Sequence, residues 1–332
     1  VRVAPGLVWG GLGVGGGPVR RGVIATWNDG VRACVVTAAM ACAYVNRLCP
    51  DVLIVPSRMS VYREASAAIQ AIFTDYTDLI QPLSLDEAYL DVTESQACRG
   101  SATLIAREIR QRVQASQGIT VSAGVAPNKF LAKIASDWNK PDGLKVILPD
   151  EVEAFVHQLP VTKLHGVGKV MAERLKRVGV DVCSELLPWR KQDLVREFGS
   201  FGERLWQLAR GIDDRPVVVE SKRQSVSVEH TYEHDLPDLD ACQAALPPLL
   251  DKLAERLGRL DSVYRVSKPF IKLKFHDFTQ TTLEQAGAPI TPEGYAELCA
   301  QAYARGGRAV RLIGVGVRLD NAHSPMGECA LS

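Results

Sequence analysis

The chain carries almost no excess charge: 39 Lys and Arg against 38 Asp and Glu leave a formal net charge of +1 over 332 residues. That excludes a uniformly basic coat, so any surface for a polyanion has to come from local clustering. Cys-x-x-Cys spacing is absent. The eight cysteines (Cys34, Cys42, Cys49, Cys98, Cys183, Cys242, Cys299 and Cys329) are scattered, which argues against zinc or disulfide frameworks. Buried free thiols in a reducing cytoplasm are expected instead. No apolar run approaches the roughly 20 residues that span a bilayer, so no membrane partnership is expected. Val1 to Pro18 lacks the charged start, unbroken apolar core and cleavage site of a signal peptide. The glycines of Gly10 to Gly17 lack the Gly-Lys-Ser/Thr ending of a phosphate loop, and a flexible connector is expected there.

What is present is ordinary for a soluble protein, 46% hydrophobic and 23% charged. The length exceeds one typical core and predicts several domains. Gly22 to Thr26 and Val52 to Val55 read as strands. Arg63 to Tyr76 and Ala102 to Val113 carry apolar residues at helical spacing. Ile119, Val121, Ala123 and Val125 alternate with Thr120, Ser122 and Gly124, a strand period. Pro127-Asn128 turns into a helix over Lys129 to Trp138, ended by Asn139-Lys140-Pro141-Asp142-Gly143. Helices on one face of such strands make an α+β layer. From about Leu159 the pattern becomes all-helical, and Gly179 reads as a helix C-cap. Beyond Pro216 to Lys222, strand and helix alternate. Val226 to Val228 is a strand, Leu239 to Leu260 one long helix, and Phe270 to Phe278 and Thr281 to Gln285 a hairpin. A helix over Pro292 to Tyr303 and a strand over Val310 to Leu319 follow. This β-α-β-β-α-β order suggests a ferredoxin-like split.

The most informative run is Ser84-Leu85-Asp86-Glu87-Ala88-Tyr89-Leu90-Asp91-Val92-Thr93. It sets two adjacent carboxylates in an apolar, strand-forming segment. Burying ionised carboxylates is costly without a compensating cation. Mg²⁺ is the natural candidate, because it takes oxygen ligands from one or two carboxylates plus substrate phosphates. A second reading stays open. Side chains alternate across a strand, so one acid could be solvated and the other ion-paired.

That ten-residue run resembles the palm motif of the Y-family translesion DNA polymerases, and the resemblance extends from about Gly17 to Leu319. It implies a multidomain α+β polymerase right hand with a C-terminal ferredoxin-like domain, the little finger. The implied division is residual fingers and N-terminal palm at 1–57, palm at 58–158 and helical thumb at 159–215. A linker at 216–222, little finger at 223–320 and tail at 321–332 complete it. The implied activity is template-dependent, low-fidelity DNA synthesis in the cytoplasm. Primer-template DNA and deoxynucleoside triphosphates are the implied partners, the chain acting as a monomer. The tail, Asn321 to Ser332, has no Gln-x-x-Leu-Phe-like peptide, so a sliding clamp is not expected as a partner.

By the same resemblance, Asp86 and Glu87 are the catalytic carboxylates and hold the metal, two Mg²⁺ ions in an intact site. Asp91 is expected to be exposed or ion-paired. Thr26-Trp27-Asn28-Asp29-Gly30-Val31-Arg32 matches a nucleotide-binding motif in which Thr26 and Arg32 contact phosphates, with Asp29 replacing a tyrosine; read alone, Arg32 is a surface arginine. Ser122 to Asp137 and Asn139 to Gly143 match almost without interruption, and Lys140 is the lysine that reaches the triphosphate. Lys129 and Lys133 share a helix face that is either solvated or near DNA. His165-Gly166-Val167-Gly168-Lys169 resembles a helix–hairpin–helix turn, where Gly166, Gly168 and Lys169 would meet backbone phosphate. Lys272 and Lys274 alternate with Ile271, Leu273 and Phe275, so one strand face is basic and suited to DNA or simply to water.

The family's first strand, with an aspartate that completes the metal site, is not matched: no acidic residue precedes Asp29. A shortened polymerase and a degenerate, non-catalytic DNA-binding remnant both fit this difference, and weak or absent polymerase activity is expected.

Overall fold

The computed structural model describes residues 11–16, 21–28, 31, 39–219 and 222–321. The chain divides into two compact units, one joining the N-terminal segment up to residue 57 with the segment from 222 onward, the other running from 58 to 221.

In the first unit, β1 (Leu12–Gly15) lies between β2 (Ile24–Trp27) and, after α1 (Cys42–Leu48), β3 (Leu53–Val55). It pairs antiparallel with β2 and parallel with β3. The connector expected over Gly10 to Gly17 is therefore wrong at Leu12 to Gly15. Its glycines serve close packing instead. A Cβ at Gly13 would meet Ile24 Cδ1 at 2.8 Å, and one at Gly15 would meet the Val23 carbonyl oxygen at 2.6 Å. Ile24, Val31, Cys42 and Val45 form the small core beneath.

The second unit opens with α2 (Met59–Phe73) and a hairpin of β4 (Ile80–Pro82) and β5 (Ala88–Leu90). Next come α3 (Ala102–Gln117), β6 (Ala123–Val125), α4 (Lys129–Trp138) and β7 (Leu144–Val146), with β6 and β7 parallel. Ile72, Tyr76, Ile105, Ile109 and Val113 join α2 to α3. Each such fully buried side chain contributes roughly 1.5–3 kcal/mol. Ile119 and Val121, expected on a strand, pack against this cluster while the ladder begins only at Ala123; their apolar character reflects packing. Ser101 caps α3 by accepting from the Leu104 amide, and Gly118 closes it in the left-handed region.

Asn128 caps α4 in the same way, accepting from the Leu131 amide, and its own amide donates to the Gly211 carbonyl. One hydrophobic cluster then runs from Phe130 to Ala209. It binds α4 to α5 (Val152–His157), α6 (Lys169–Arg177), α7 (Lys191–Phe198) and α8 (Phe201–Leu208).

The remainder of the first unit is a four-stranded antiparallel sheet, order β10-β9-β11-β8. Its strands are β8 (Ser225–Leu236), β9 (Tyr264–Phe275), β10 (Gln280–Glu284) and β11 (Val310–Asn321). Helices α9 (Leu239–Ala244), α10 (Pro247–Leu257) and α11 (Pro292–Ala304) supply its crossovers. Each crossover leaves one strand between the two that it joins, the split arrangement. The single helix expected over Leu239 to Leu260 is two. Pro247, without an amide hydrogen, starts a helix readily but cannot continue one. Ile271, Leu273, Phe275, Ile313, Val315 and Val317 face the helices as one core.

Cys42, Cys183, Cys242 and Cys299 are buried free thiols and Cys98 a half-buried one. Cys49 is disulfide-bonded, contrary to the free-thiol expectation. Among the described residues no helix is long and apolar enough to cross a membrane.

Candidate functional site

The acidic pair is not inside a strand. Asp86 and Glu87 end the five-residue turn between β4 and β5, where the Leu83 amide donates to the Glu87 carbonyl at 2.8 Å. The alternation argument, which would send the two acids to opposite faces, therefore does not apply. Asp86 is exposed, and its carboxylate accepts from the Ser84 hydroxyl at 2.5 Å. Glu87 is half-buried and turns to α4, where the Lys133 ammonium donates to its Oε1 at 2.6 Å. Asp91, just past β5, makes no ion pair among the described residues but accepts from the Thr93 hydroxyl at 2.6 Å, closing its own turn.

Helix α4 carries three charged residues one turn apart, and turns the first two to this hairpin. Lys129 donates to Gln81 Oε1 at 2.9 Å and lies 5.6 Å from the centre of the Tyr89 ring. Lys133 holds Glu87 and lies 3.5 Å from Asp137. Asp137 in turn pairs with Lys140. A ladder of alternating charge thus runs Glu87–Lys133–Asp137–Lys140. Burial opposes the charge on Lys133, but its contacts with Glu87 and Asp137 win, and its pKa is raised. Burial likewise opposes the Asp137 carboxylate, yet the hydrogen bond from Lys140 and the charge of Lys133 hold its pKa down. For Lys129, burial dominates and the Arg215 charge adds to it, so its pKa is lowered. The helix face read as solvated or DNA-facing instead grips the hairpin.

Two further groups position these residues, and neither carries a local sequence signal. Arg110, on α3, donates to the Val121 carbonyl at 3.0 Å and to the Asp142 carboxylate at 2.7 Å. It fastens the loop that carries Lys140. Asp213 is 6% exposed and accepts from the Phe130 amide at 3.1 Å. Arg204 and Arg215 lie 3.0 and 2.7 Å from it. Burial would raise its pKa, but the two guanidiniums, Arg215 first, hold it down to about 2. A buried anion at the first turn of α4 suits the positive end of the helix dipole. Gly124 completes the seat of α4, since a Cβ there would meet the Ala132 carbonyl oxygen at 2.1 Å. Of this seat, the sequence pattern reports only the helix of α4 and the spacing of its lysines.

The donor chemistry fits a hard divalent cation. Asp86 offers a solvent-facing carboxylate, and the cation at Glu87 among the described residues is the Lys133 ammonium, in salt-bridge contact. Among the described residues no group of three acids, histidines or cysteines gathers as a metal centre.

The other expected residues are placed as follows. Thr26 is exposed on β2, its backbone paired with Val14. Arg32 lies outside the described residues. Gly166 has φ +99° and Gly168 caps α6, with exposed Lys169 as that helix's first residue. The α6 amides have no side-chain cap, which leaves them available to an anion. On β9, Lys272 is already paired with Glu229 at 3.0 Å, while Lys274 lies 4.9 Å from the Phe278 ring centre. Arg318, on the same sheet, pairs with Glu284 at 2.7 Å. The basic strand face is therefore partly neutralised by its own neighbours.

Comparison with known proteins gives matching family models over most of the chain. The impB/mucB/samB family matches residues 4–137, its C-terminal domain residues 223–322, and the DNA polymerase-iota thumb domain residues 162–213. A DNA polymerase IV from Pseudomonas entomophila (strain L48) is 63% identical over 96% of this chain and 90% of its own length. One from Pseudomonas putida (strain ATCC 47054) is 62% identical over the same shares. Among solved structures, a Y-family DNA polymerase chimera of Dbh and Dpo4 is similar with a TM-score of 0.87 and 28% identity, covering 95% of this chain and 93% of its own. The insertion ternary complex of Dbh DNA polymerase is similar with a TM-score of 0.67 and 28% identity, covering 96% and 94%.

Proposed function

The chain belongs to the impB/mucB/samB family of Y-family DNA polymerases, and from that premise we propose how its own residues carry the activity. It is a DNA-directed DNA polymerase of the polymerase IV type, a low-fidelity enzyme of translesion synthesis. The alternative of a non-catalytic DNA-binding remnant gains no support from its relatives. DNA and deoxynucleoside triphosphates are its partners.

The observation that carries the site assignment is the ion-pair ladder. It links Glu87, the expected metal carboxylate, to Lys140, the expected triphosphate lysine, through two residues of one helix. Asp86 and Glu87 would hold the divalent cations, Mg²⁺ being the ion their oxygen donors suit. Two such ions, when bound, would supply charge stabilisation for an in-line phosphoryl transfer. The protein's task is then positioning and electrostatics. The hairpin turn fixes Glu87 by main-chain hydrogen bonds to its carbonyl and Asp86 through the Ser84 hydroxyl, and α4 fixes the turn. Lys140, half-exposed beside Asp137, is free to exchange that surface partner for a phosphate oxygen. Thr26 and Arg32 keep their assignment to nucleotide phosphates on their motif. Gly166, Gly168 and Lys169 would receive a DNA phosphate at the start of α6, positioning the duplex without reading its sequence. Lys272 and Lys274 would track the backbone.

Primer extension by Asp86→Asn and Glu87→Gln tests the assignment. Each is expected to lose more than about 100-fold of Mg²⁺-dependent extension, beyond what loss of a partner outside the ligand set costs. Salt-sensitive duplex binding is expected to persist. Extension at the unsubstituted rate by both variants refutes the assignment.

A further inference from the structure

We propose that Lys133 is a built-in counter-cation of the carboxylate site, neutralising Glu87 in the metal-free protein and yielding it to a divalent ion by transfer to Asp137. The inference rests on the assignment of Asp86 and Glu87 as metal-holding acids and deepens it.

Three observations carry it. Lys133 Nζ contacts Glu87 Oε1 at 2.6 Å, so an ammonium already engages an oxygen that the assignment gives to a metal. The same nitrogen has a second carboxylate in reach, Asp137 at 3.5 Å and one helical turn further along. Moving toward it costs only a small side-chain displacement. Finally, the Lys133 side chain is 27% exposed, so it is neither locked in a core nor freely solvated. A partly desolvated carboxylate without a cation would be costly, and Lys133 removes that cost before metal arrives. The consequence is competition: the metal has to displace an ammonium, and Asp137 determines how readily the ammonium leaves. Asp137 is itself shared with Lys140. A phosphate that draws Lys140 away therefore frees Asp137 to receive Lys133. Phosphate engagement at Lys140 and metal access at Glu87 are thereby coupled through one carboxylate, and such coupling is reciprocal.

Lys133 acts through Glu87 and is a positioning residue. The test measures Mn²⁺ affinity directly, by electron paramagnetic resonance of free Mn²⁺, on the full chain without DNA or nucleotide. Lys133→Met and Lys133→Gln are expected to bind Mn²⁺ at least about fivefold more tightly, the lower end of usual coupling strengths. Asp137→Asn is expected to bind it more weakly, because Lys133 then has Glu87 alone. Simple Coulomb effects would give the same two signs, so the double variant decides. With Lys133→Met in place, adding Asp137→Asn is expected to change nothing, since Asp137 acts only through the lysine. Unchanged or weaker binding in both lysine variants overturns the proposal, as does an Asp137→Asn effect that persists in the Lys133→Met background. Glu87→Gln separates the two levels of argument: loss of Mn²⁺ affinity upholds the acid assignment whatever Lys133 does. No loss overturns that assignment and this proposal together.

Discussion

Replacing Asp213 by Asn tests the anchor of α4. The side chain is wholly buried, with Arg204 at 3.0 Å, Arg215 at 2.7 Å and the Phe130 amide at 3.1 Å. Its pKa falls from 3.8 to about 2, because burial, which raises it, is outweighed by the hydrogen bond from Arg215 and the charge of Arg204. At about 1.4 kcal/mol per tenfold change in proton affinity, that fall is worth ~2.5 kcal/mol in favour of the folded state. Asn keeps an acceptor for the Phe130 amide but removes the charge and leaves Arg204, only 22% exposed, without its partner. Stripping one member from a fully buried ion pair costs about 3–5 kcal/mol. Arg215 is half-solvated and recovers hydration, so a loss of about 2–3 kcal/mol is expected. For a unit of this size that corresponds to roughly 5–10 °C in Tm. The sign with pH follows from a depressed carboxylate pKa. The stabilisation is complete above the unfolded value near 4 and is lost as pH falls toward 2. Urea unfolding followed by tryptophan fluorescence, from pH 7 down to pH 3, reads both effects. Asp213→Asn should unfold at lower urea at pH 7 and lose less stability on acidification than the unsubstituted chain. Midpoints within about 0.5 kcal/mol of each other at pH 7, or equal acid slopes, would show that the buried anion is not the anchor.

Gly166→Ala should destabilise the second unit by about 1–3 kcal/mol and weaken duplex binding, because φ is +99° and the new methyl would meet the Phe201 ring at 2.7 Å. Gly179→Ala, with φ +75° and open space around it, should cost only about 1 kcal/mol in the same thermal melt. On β9, Lys274→Met should reduce the salt dependence of duplex binding by close to one phosphate contact. Lys272→Met should reduce it by less, because Glu229 already claims that ammonium; equal slopes in a salt titration would contradict the pairing. Arg110→Met should release the loop around Asp142 and raise KM for nucleotide more than it lowers kcat, in steady-state extension assays that vary nucleotide.

The elements with strong local signals were readable. Helix α4 begins and ends where Asn128 and Asn139 predict, since the cap, the apolar period and the turn all agree. Strand β8 was legible only at its apolar start, Val226 to Val228. It continues to Leu236 through backbone pairing that side-chain alternation does not report, and β9 likewise begins at Tyr264, before the apolar run from Phe270. The glycines of β1 misled for the opposite reason. They look like flexibility in a sequence but answer to an approach of 2.6 Å from a neighbouring strand, which exists only in the folded chain.

The candidate site divides along the same line. Asp86 and Glu87 stood out because adjacent acids in an apolar run violate the usual burial pattern. What organises them did not stand out, because it is assembled from residues that are unremarkable one by one. Lys133 on a helix looks solvated, Arg110 looks like surface charge, and Asp213 belongs to an acidic pair in a loop. Separations of 46 and 83 residues bring Lys133 to Glu87 and Asp213 to Phe130. The acids could be recognised because they break a local rule. Their supports could not, because a charged side chain breaks no rule until a fold removes its water and gives it a partner. The charge ladder is thus a property of how α4 is seated, and perturbing that seat through Asp213 should loosen the grip on Glu87 without touching either carboxylate of the hairpin turn.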